Sequence, residues 1–164
     1  RLREAGIEVV TTDAAPGMRP DVICRAEDLP FADASFDVVA CRTAAHHFGD
    51  IPAAVREMAR VARDRVLLVD TVNMGDAAEE AEKLRDPSHV RNYAEAEWRQ
   101  LVLDAGLTLD EVAFFAHTIN VQAWLARTGC EGDEAERVLS LLGDRVAEGR
   151  LTLDKIALKA VKCP

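Results

Sequence analysis

Residues 35–70 read SFDVVACRTAAHHFGDIPAAVREMARVARDRVLLVD, and this stretch decides the fold class. FDVVAC, residues 36–41, is a continuous apolar run of the kind buried in a parallel sheet. Residues 51–62 then place Val55, Met58, Ala59 and Ala62 at spacings of three and four, the stripe of an amphipathic helix. Asp50 stands at the N-cap position of that helix and Pro52 in its first turn. RVLLVD, residues 65–70, is the next buried strand. Strands alternating with helices predict an α/β domain with parallel character.

Working outward, residues 1–5 read as the last turn of a helix closed by Gly6. Residues 7–12 are β-branched and predict a strand ending at Asp13, and residues 21–25 predict a second short extended piece. Downstream, a polar helix over residues 76–84 is broken by Asp86, Pro87 and Ser88. A second helix over residues 94–105 carries Trp98, Leu101, Val102 and Ala105 on one face and closes at Gly106. The pattern then predicts a strand over 107–115, helices over 119–127 and 133–148, and a final strand over 151–161. In that last strand Leu151 and Leu153 alternate, and then Ile156, Leu158 and Ala160 do.

The chain has 164 residues, one domain's worth. With 49% apolar and 30% charged residues, disorder is excluded. Twenty-nine acidic residues against 20 basic give a formal net charge of -9. That argues against nucleic-acid binding, which needs clustered cations, and disfavours anionic ligands at long range. No apolar run approaches the ~20 residues of a membrane span. No signal-peptide pattern opens the chain, so a cytoplasmic location is expected. Cys24, Cys41, Cys130 and Cys163 are widely spaced with no CxxC pair, and read as free thiols in a reducing compartment. Cys41 with His46 and His47 is the nearest metal-like group, but adjacent histidines rarely converge on one ion, and no metal site is expected.

Ligands of parallel α/β sheets bind beyond the carboxyl ends of the strands. Three such ends are readable. Asp13 can accept hydrogen bonds from both hydroxyls of a ribose, or form a turn with its own backbone. Residues 41–48, CRTAAHHF, put His46 and His47 at a strand terminus, where they serve as ligand contacts or acid–base groups, or pack and cap. Asp70 either lines the same crevice or caps the following turn.

AEDLPFADASFDVVACRTAAHHF (residues 26–48), followed by IPAAVREMARVAR and RVLLVD, resembles the class I S-adenosylmethionine-dependent methyltransferases, most closely the ubiquinone/menaquinone-biosynthesis type, or methyltransferase type 11. LRDPSHVRNYAEAEWRQLVLDAGL (residues 84–107) is similar to a segment after the sheet in that group. The resemblance implies a Rossmann-like sheet with flanking helices and S-adenosylmethionine as cofactor. Asp13 matches the ribose-binding acid, Ala26 and Glu27 the loop beside the adenine, and Cys41 and Arg42 the residues passing the methionine part. His46 and His47 match a pair on the acceptor side, with His47, or else His46, as base. His89 and Arg91 match a segment lining the pocket of a small-molecule acceptor, and residues 76–91 are expected to sit over it.

The sequence departs from the family pattern in three ways. A first strand and a GxGxG-like loop are absent from residues 1–164, which thus read as a single domain incomplete at its N-terminus and expected to bind the cofactor poorly. Residues 14–20 are too few for the usual helical crossover, so a helix is missing there. Arg25 stands where an acid is common. A methyltransferase acting on a small molecule is the expected function. The alternatives are a non-catalytic partner or regulatory module and, less well supported, a nicotinamide-dependent oxidoreductase, whose GxGxxG is not found. Oligomeric state is left open.

Overall fold

The computed structural model describes residues 3–162; Cys163 and the first two residues of the expected N-terminal turn lie outside the described residues. The strands decided above form as expected. β3 (Phe36–Arg42) and β4 (Ala62–Thr71) pair in parallel, with Val39 opposite Val66 and Arg42 opposite Val69. They are joined by helix α1 (Ile51–Val61), whose first turn is capped by the Asp50 carboxylate accepting from the Ala53 N–H at 2.9 Å. Its stripe of Val55, Met58 and Ala59 is buried, and Ala62 begins β4 with no intervening loop.

Upstream lies a separate two-stranded parallel sheet of β1 (Thr12–Asp13) and β2 (Val22–Ile23). The expected strand over 7–12 thus shrinks to its last residue: Ile7 and Val10 are exposed, and Thr12 and Asp13 are the residues that pair in register with β2. One 3₁₀ turn (Pro16–Met18) makes the crossover in place of a helix.

Downstream come α2 (Asp76–Arg85), α3 (Glu95–Asp104), β5 (Leu107–Asn120), α4 (Val121–Ala126), α5 (Gly132–Leu142), β6 (Val146–Ala147) and β7 (Arg150–Lys162). The large sheet runs β3-β4-β7-β5, with β6 hairpinned onto β7. β7 is antiparallel to both neighbours, a direction that connection length alone left open. Two expectations need correction. The helix foreseen over 133–148 stops at Leu142, because Gly143 takes φ +51° and Glu148 (φ +50°) and Gly149 (φ +71°) make the tight turn of the β6–β7 hairpin. The strand foreseen over 107–115 runs on to Asn120, since its ladder with β7 continues through Asn120–Arg150 after the apolar pattern has ended.

Two cores hold the sheet. On one face, α1 and α3 cover Val66, Leu68, Ile156, Leu158 and Ala160, with Trp98 and Val102 from α3. The second is built by Ala81, Trp124, Leu125, Val138 and Leu142 over Leu151 and Leu153. Residues 151 and 153 point to one side of β7 and residues 156, 158 and 160 to the other, by the period of two along a strand. The phase change in the sequence of the last strand is therefore the switch from one core to the other. FDVVAC is not uniformly buried as expected: Val39 and Cys41 pack on the first core, while Val38, on the other face, is 45% exposed because no helix covers it there.

Truncating Ile156 to Ala should cost about 2–5 kcal/mol in urea unfolding, the range for a fully buried aliphatic side chain. Leu103→Ala, at a side chain 58% exposed, should stay within about 0.5 kcal/mol. Equal effects would contradict this placement of the core.

Candidate active site

The parallel β3–β4 register brings two chain reversals side by side. After β3, Thr43 takes φ +54° and its N–H bonds the Val69 carbonyl at 2.7 Å, turning the chain into a 3₁₀ turn, Ala45–His47. At the neighbouring end of β4 stands Asp70, 2% exposed. His46 Nδ1 lies 2.6 Å from Asp70 Oδ1, and the His46 N–H donates to Asp70 Oδ2 at 3.2 Å. The Thr71 N–H adds a third donor at 2.7 Å. Asp70 thus ties the following turn and holds His46, and it is not among the residues that line the cavity at these strand ends.

Burial pushes the Asp70 carboxyl up, but the His46 hydrogen bond and charge, the Thr71 N–H and Lys155 outweigh it and hold the group below the ordinary carboxylate range. An ionised Asp70 accepts, so the His46 Nδ1–H donates to it and the ring is held by the carboxylate. That is the geometry of a base oriented by a carboxylate. His47 is turned differently: its Nδ1 faces the Ser88 carbonyl and hydroxyl, each at 3.1 Å. Burial holds its pKa below the usual imidazole value, with the neighbouring His46 and His89 adding to this and Ser88 and Asp86 opposing it.

Both rings line a cavity of about 440 Å³ beyond the ends of β3 and β4. Its walls include Arg42 and Thr43 from β3 and its turn, Glu82, Arg85 and Asp86 from α2 and its end, Phe115 and His117 from β5, Trp124 from α4, Arg127, and Lys155 from β7. Of the residues singled out from sequence, Arg42, His46 and His47 meet here, and residues 76–91 contribute the end of α2.

The others lie elsewhere. Asp13 ends β1, where Oδ1 accepts the Ala15 N–H at 2.8 Å in a turn, and Oδ2 has no partner among the described residues. Glu27 Oε1 accepts the Gly49 N–H at 3.0 Å, the Asp50 N–H at 3.3 Å and Arg25 at 3.1 Å, bracing the loop that starts α1. Ala26 packs on the first core. Cys41 also points into that core, and burial beside Asp70 pushes its thiol up to about 12, so it is no thiolate.

His89 and Arg91 are not among the residues that line this cavity. The His89 side chain is fully enclosed with Nε2 3.2 Å from Glu79, and Arg91 pairs with Glu97 and stacks on Tyr93. Their segment acts indirectly: the Val90 N–H (2.9 Å) and Arg91 N–H (3.2 Å) both donate to the His46 carbonyl. The sequence reading missed Lys155, Arg127 and Trp124. Lys155 carried a signal, since it continues the buried phase of Leu151 and Leu153 as a charged residue.

A family model described as a methyltransferase domain matches residues 1–69. The uncharacterized methyltransferase YcgJ of Bacillus subtilis (strain 168) is 37% identical over 134 residues, 77% of this chain and 53% of that protein. The solved YcgJ structure has a TM-score of 0.76 at 29% identity, over 99% of this chain and 75% of that one. Residues 1–69 therefore carry a methyltransferase domain. A solved chain from Bacillus halodurans C-125 gives the same TM-score, 0.76, at 28% identity, over 86% of this chain and 70% of that one. The sheet with its flanking helices is therefore the Rossmann-like methyltransferase fold. The chain spans 53% of the length of the curated relatives YcgJ and YafE of Escherichia coli K12.

The depressed His47 value makes a pH prediction. As pH falls, the unfolded chain takes up this proton first, so stability declines from about pH 6.5 downward through the lower folded value. The thermal midpoint of the unsubstituted protein should therefore fall more steeply than that of His47→Gln between about pH 6.5 and 5. Parallel slopes in differential scanning fluorimetry would remove His47 as the titrating group.

Proposed function

We propose that the protein carrying this methyltransferase domain moves a methyl group from S-adenosylmethionine to a small molecule seated in the cavity beyond β3 and β4. The observation that carries the reading is the His46–Asp70 pair at the joint terminus of two parallel strands, with His46 on the wall of that cavity. The bound cofactor supplies an electrophilic methyl on a sulfonium sulfur, activated without help from the protein. The chain's own residues then have three tasks: to hold the cofactor, to align the acceptor and to take its proton.

Asp13 suits the first task. It is an acid at a strand's carboxyl end with one oxygen already held in a turn, which fixes the carboxylate, and the other free to accept from vicinal hydroxyls. Ala26 offers an apolar atom beside that loop, and Glu27 shapes it through the Gly49 and Asp50 amides. Cys41 and Arg42 lead the backbone of β3 into the turn that carries His46. For the third task His46 Nε2 accepts the acceptor's proton while Asp70 steadies the ring through Nδ1. His47, tied to Ser88, shapes the wall beside it. His89 and Arg91 position the His46 backbone and do not touch the acceptor.

Calorimetric titration with S-adenosylhomocysteine tests the cofactor reading: Asp13→Ala should weaken binding about 10- to 100-fold, the loss of one or two hydrogen bonds to a charged group. Radiolabelled methyl transfer to a panel of small hydroxylated acids tests the base. His46→Gln and Asp70→Asn should each lower turnover by about 10²–10⁴, with cofactor affinity retained. No binding by the protein that carries this domain, as distinct from residues 1–164 alone, would defeat the cofactor reading, and undiminished turnover in His46→Gln would take this residue out of the chemistry.

A further inference from the structure

The charge of the cavity runs against the charge of the chain. The protein carries a formal net charge of -9, yet the cavity wall holds Arg42, Arg85, Arg127 and Lys155 against only Glu82 and Asp86. Both acids lie at ion-pair distance from Arg85, whose Nη2 is 3.6 Å from Glu82 and 3.3 Å from Asp86, and Glu82 also acts on Lys155 through space. Arg85 also stacks on Trp124, 4.3 Å from the ring centroid. Three cations are left over. Lys155, 5% exposed at the base of the cavity, has a neutral hydrogen-bond partner, the Thr71 hydroxyl at 2.6 Å. Arg42 and Arg127, exposed at the mouth, make no side-chain hydrogen bond or ion pair among the described residues. The nearby Asp70 acts on Lys155 through space, but its oxygens already receive His46 and Thr71.

We infer that the acceptor bears an anionic oxygen group, a carboxylate or a phosphate, gripped by Lys155, Arg42 and Arg127, on an apolar body that lies along Phe115, Ile119 and Leu153. This deepens the methyl-transfer reading, on which the word acceptor rests. Like charges meeting in a concave, low-dielectric wall repel one another, and an anion between them removes that repulsion. Arg42 works against the Lys155 ammonium, and Arg127 against the Arg85 guanidinium, so each pair is of like sign. Burial is the main cause that lowers the Lys155 pKa, Asp70 and Glu82 oppose it and Arg42 adds to it, and a bound anion would raise it again. The apolar strip beside the cations gives the site two halves, one for charge and one for the body of the ligand. His46 lines the same wall, so an anchored anion orients the rest of the molecule toward its Nε2. The overall acidity that disfavours anions at a distance is reversed locally, and it raises selectivity for ligands able to reach the cavity.

The test titrates the full chain with benzoate, phenyl phosphate and neutral benzyl alcohol by ligand-observed NMR, with and without saturating S-adenosylhomocysteine. The anions should bind at least about tenfold more tightly than the alcohol, lose affinity with added NaCl, and keep it when the cofactor product is present. The stronger of benzoate and phenyl phosphate identifies the group. Arg127→Gln and Lys155→Met should each weaken the anion about tenfold, while Arg99→Gln, the same charge change on an exposed Glu95 pair, should not. Lys155 is buried, so if Lys155→Met fails to fold, the exposed Arg127 carries the comparison. Equal affinity for benzoate and benzyl alcohol overturns the proposal. So does displacement of the anion by S-adenosylhomocysteine, which would assign these cations to the cofactor's own carboxylate. Anion preference in a protein carrying this domain that does not bind S-adenosylhomocysteine leaves the anion site standing and defeats the methyl-transfer reading instead.

Discussion

The hydrogen bond between His46 and Asp70 exists because β3 and β4 run the same way and in one register. Antiparallel strands would put the two residues at opposite ends of the sheet. Parallel pairing with Arg42 opposite Val69 sends both chains out at the same edge, and the Thr43 amide on the Val69 carbonyl fixes the first turn. A three-residue 3₁₀ turn then delivers the imidazole to the carboxylate. The bond is demanding as well as useful. A carboxylate that is almost fully enclosed must be paired, and removing one partner of a buried charged pair typically costs about 3–5 kcal/mol. The exposed Arg99–Glu95 pair on α3 contributes a fraction of that. The backbone amides of His46 and Thr71 share the stabilisation of Asp70, so the site's electrostatics and the geometry of the β-ends are one arrangement.

A second constraint places the cavity. β7 lies between β4 and β5 and serves one core with residues 156, 158 and 160 and the other with residues 151 and 153. Lys155 falls at the handover. It has the parity of Leu151 and Leu153, but it sits beyond the cover of α4 and α5, where the wall opens. An apolar residue there would extend the second core. A lysine cannot do so without a polar partner, and the Thr71 hydroxyl at the end of β4 supplies it. The same strand therefore closes a core and floors a charged pocket.

Much of this was readable beforehand. Periodicity located β3, α1 and β4, and Asp50 located the helix start, because local capping and amphipathic burial act over a few residues. Where partners rather than composition decide, the sequence was silent. HTIN, residues 117–120, is strand because β7 is beside it, whereas Ile7 to Val10 pairs with no strand among the described residues. The site divided along the same line. His46, His47 and Arg42 were legible as strand-end residues, whereas Arg127 and Lys155 reach the cavity from elements distant in sequence. His89 misled because its segment touches the site through backbone amides, which carry no side-chain signature.

The proposed choice of His46 over His47 as base rests on what each Nδ1 meets. A carbonyl and a hydroxyl orient His47 without adding charge, and burial then disfavours its protonated form. A carboxylate orients His46 and compensates the positive charge that arises when Nε2 takes a proton. The two adjacent rings, 4.2 Å apart between centroids, compete for protonation, since two imidazolium ions at that distance repel. Burial, with His46 and His89 adding to it, holds His47 below the usual imidazole range, and His47 is the ring with no carboxylate behind it.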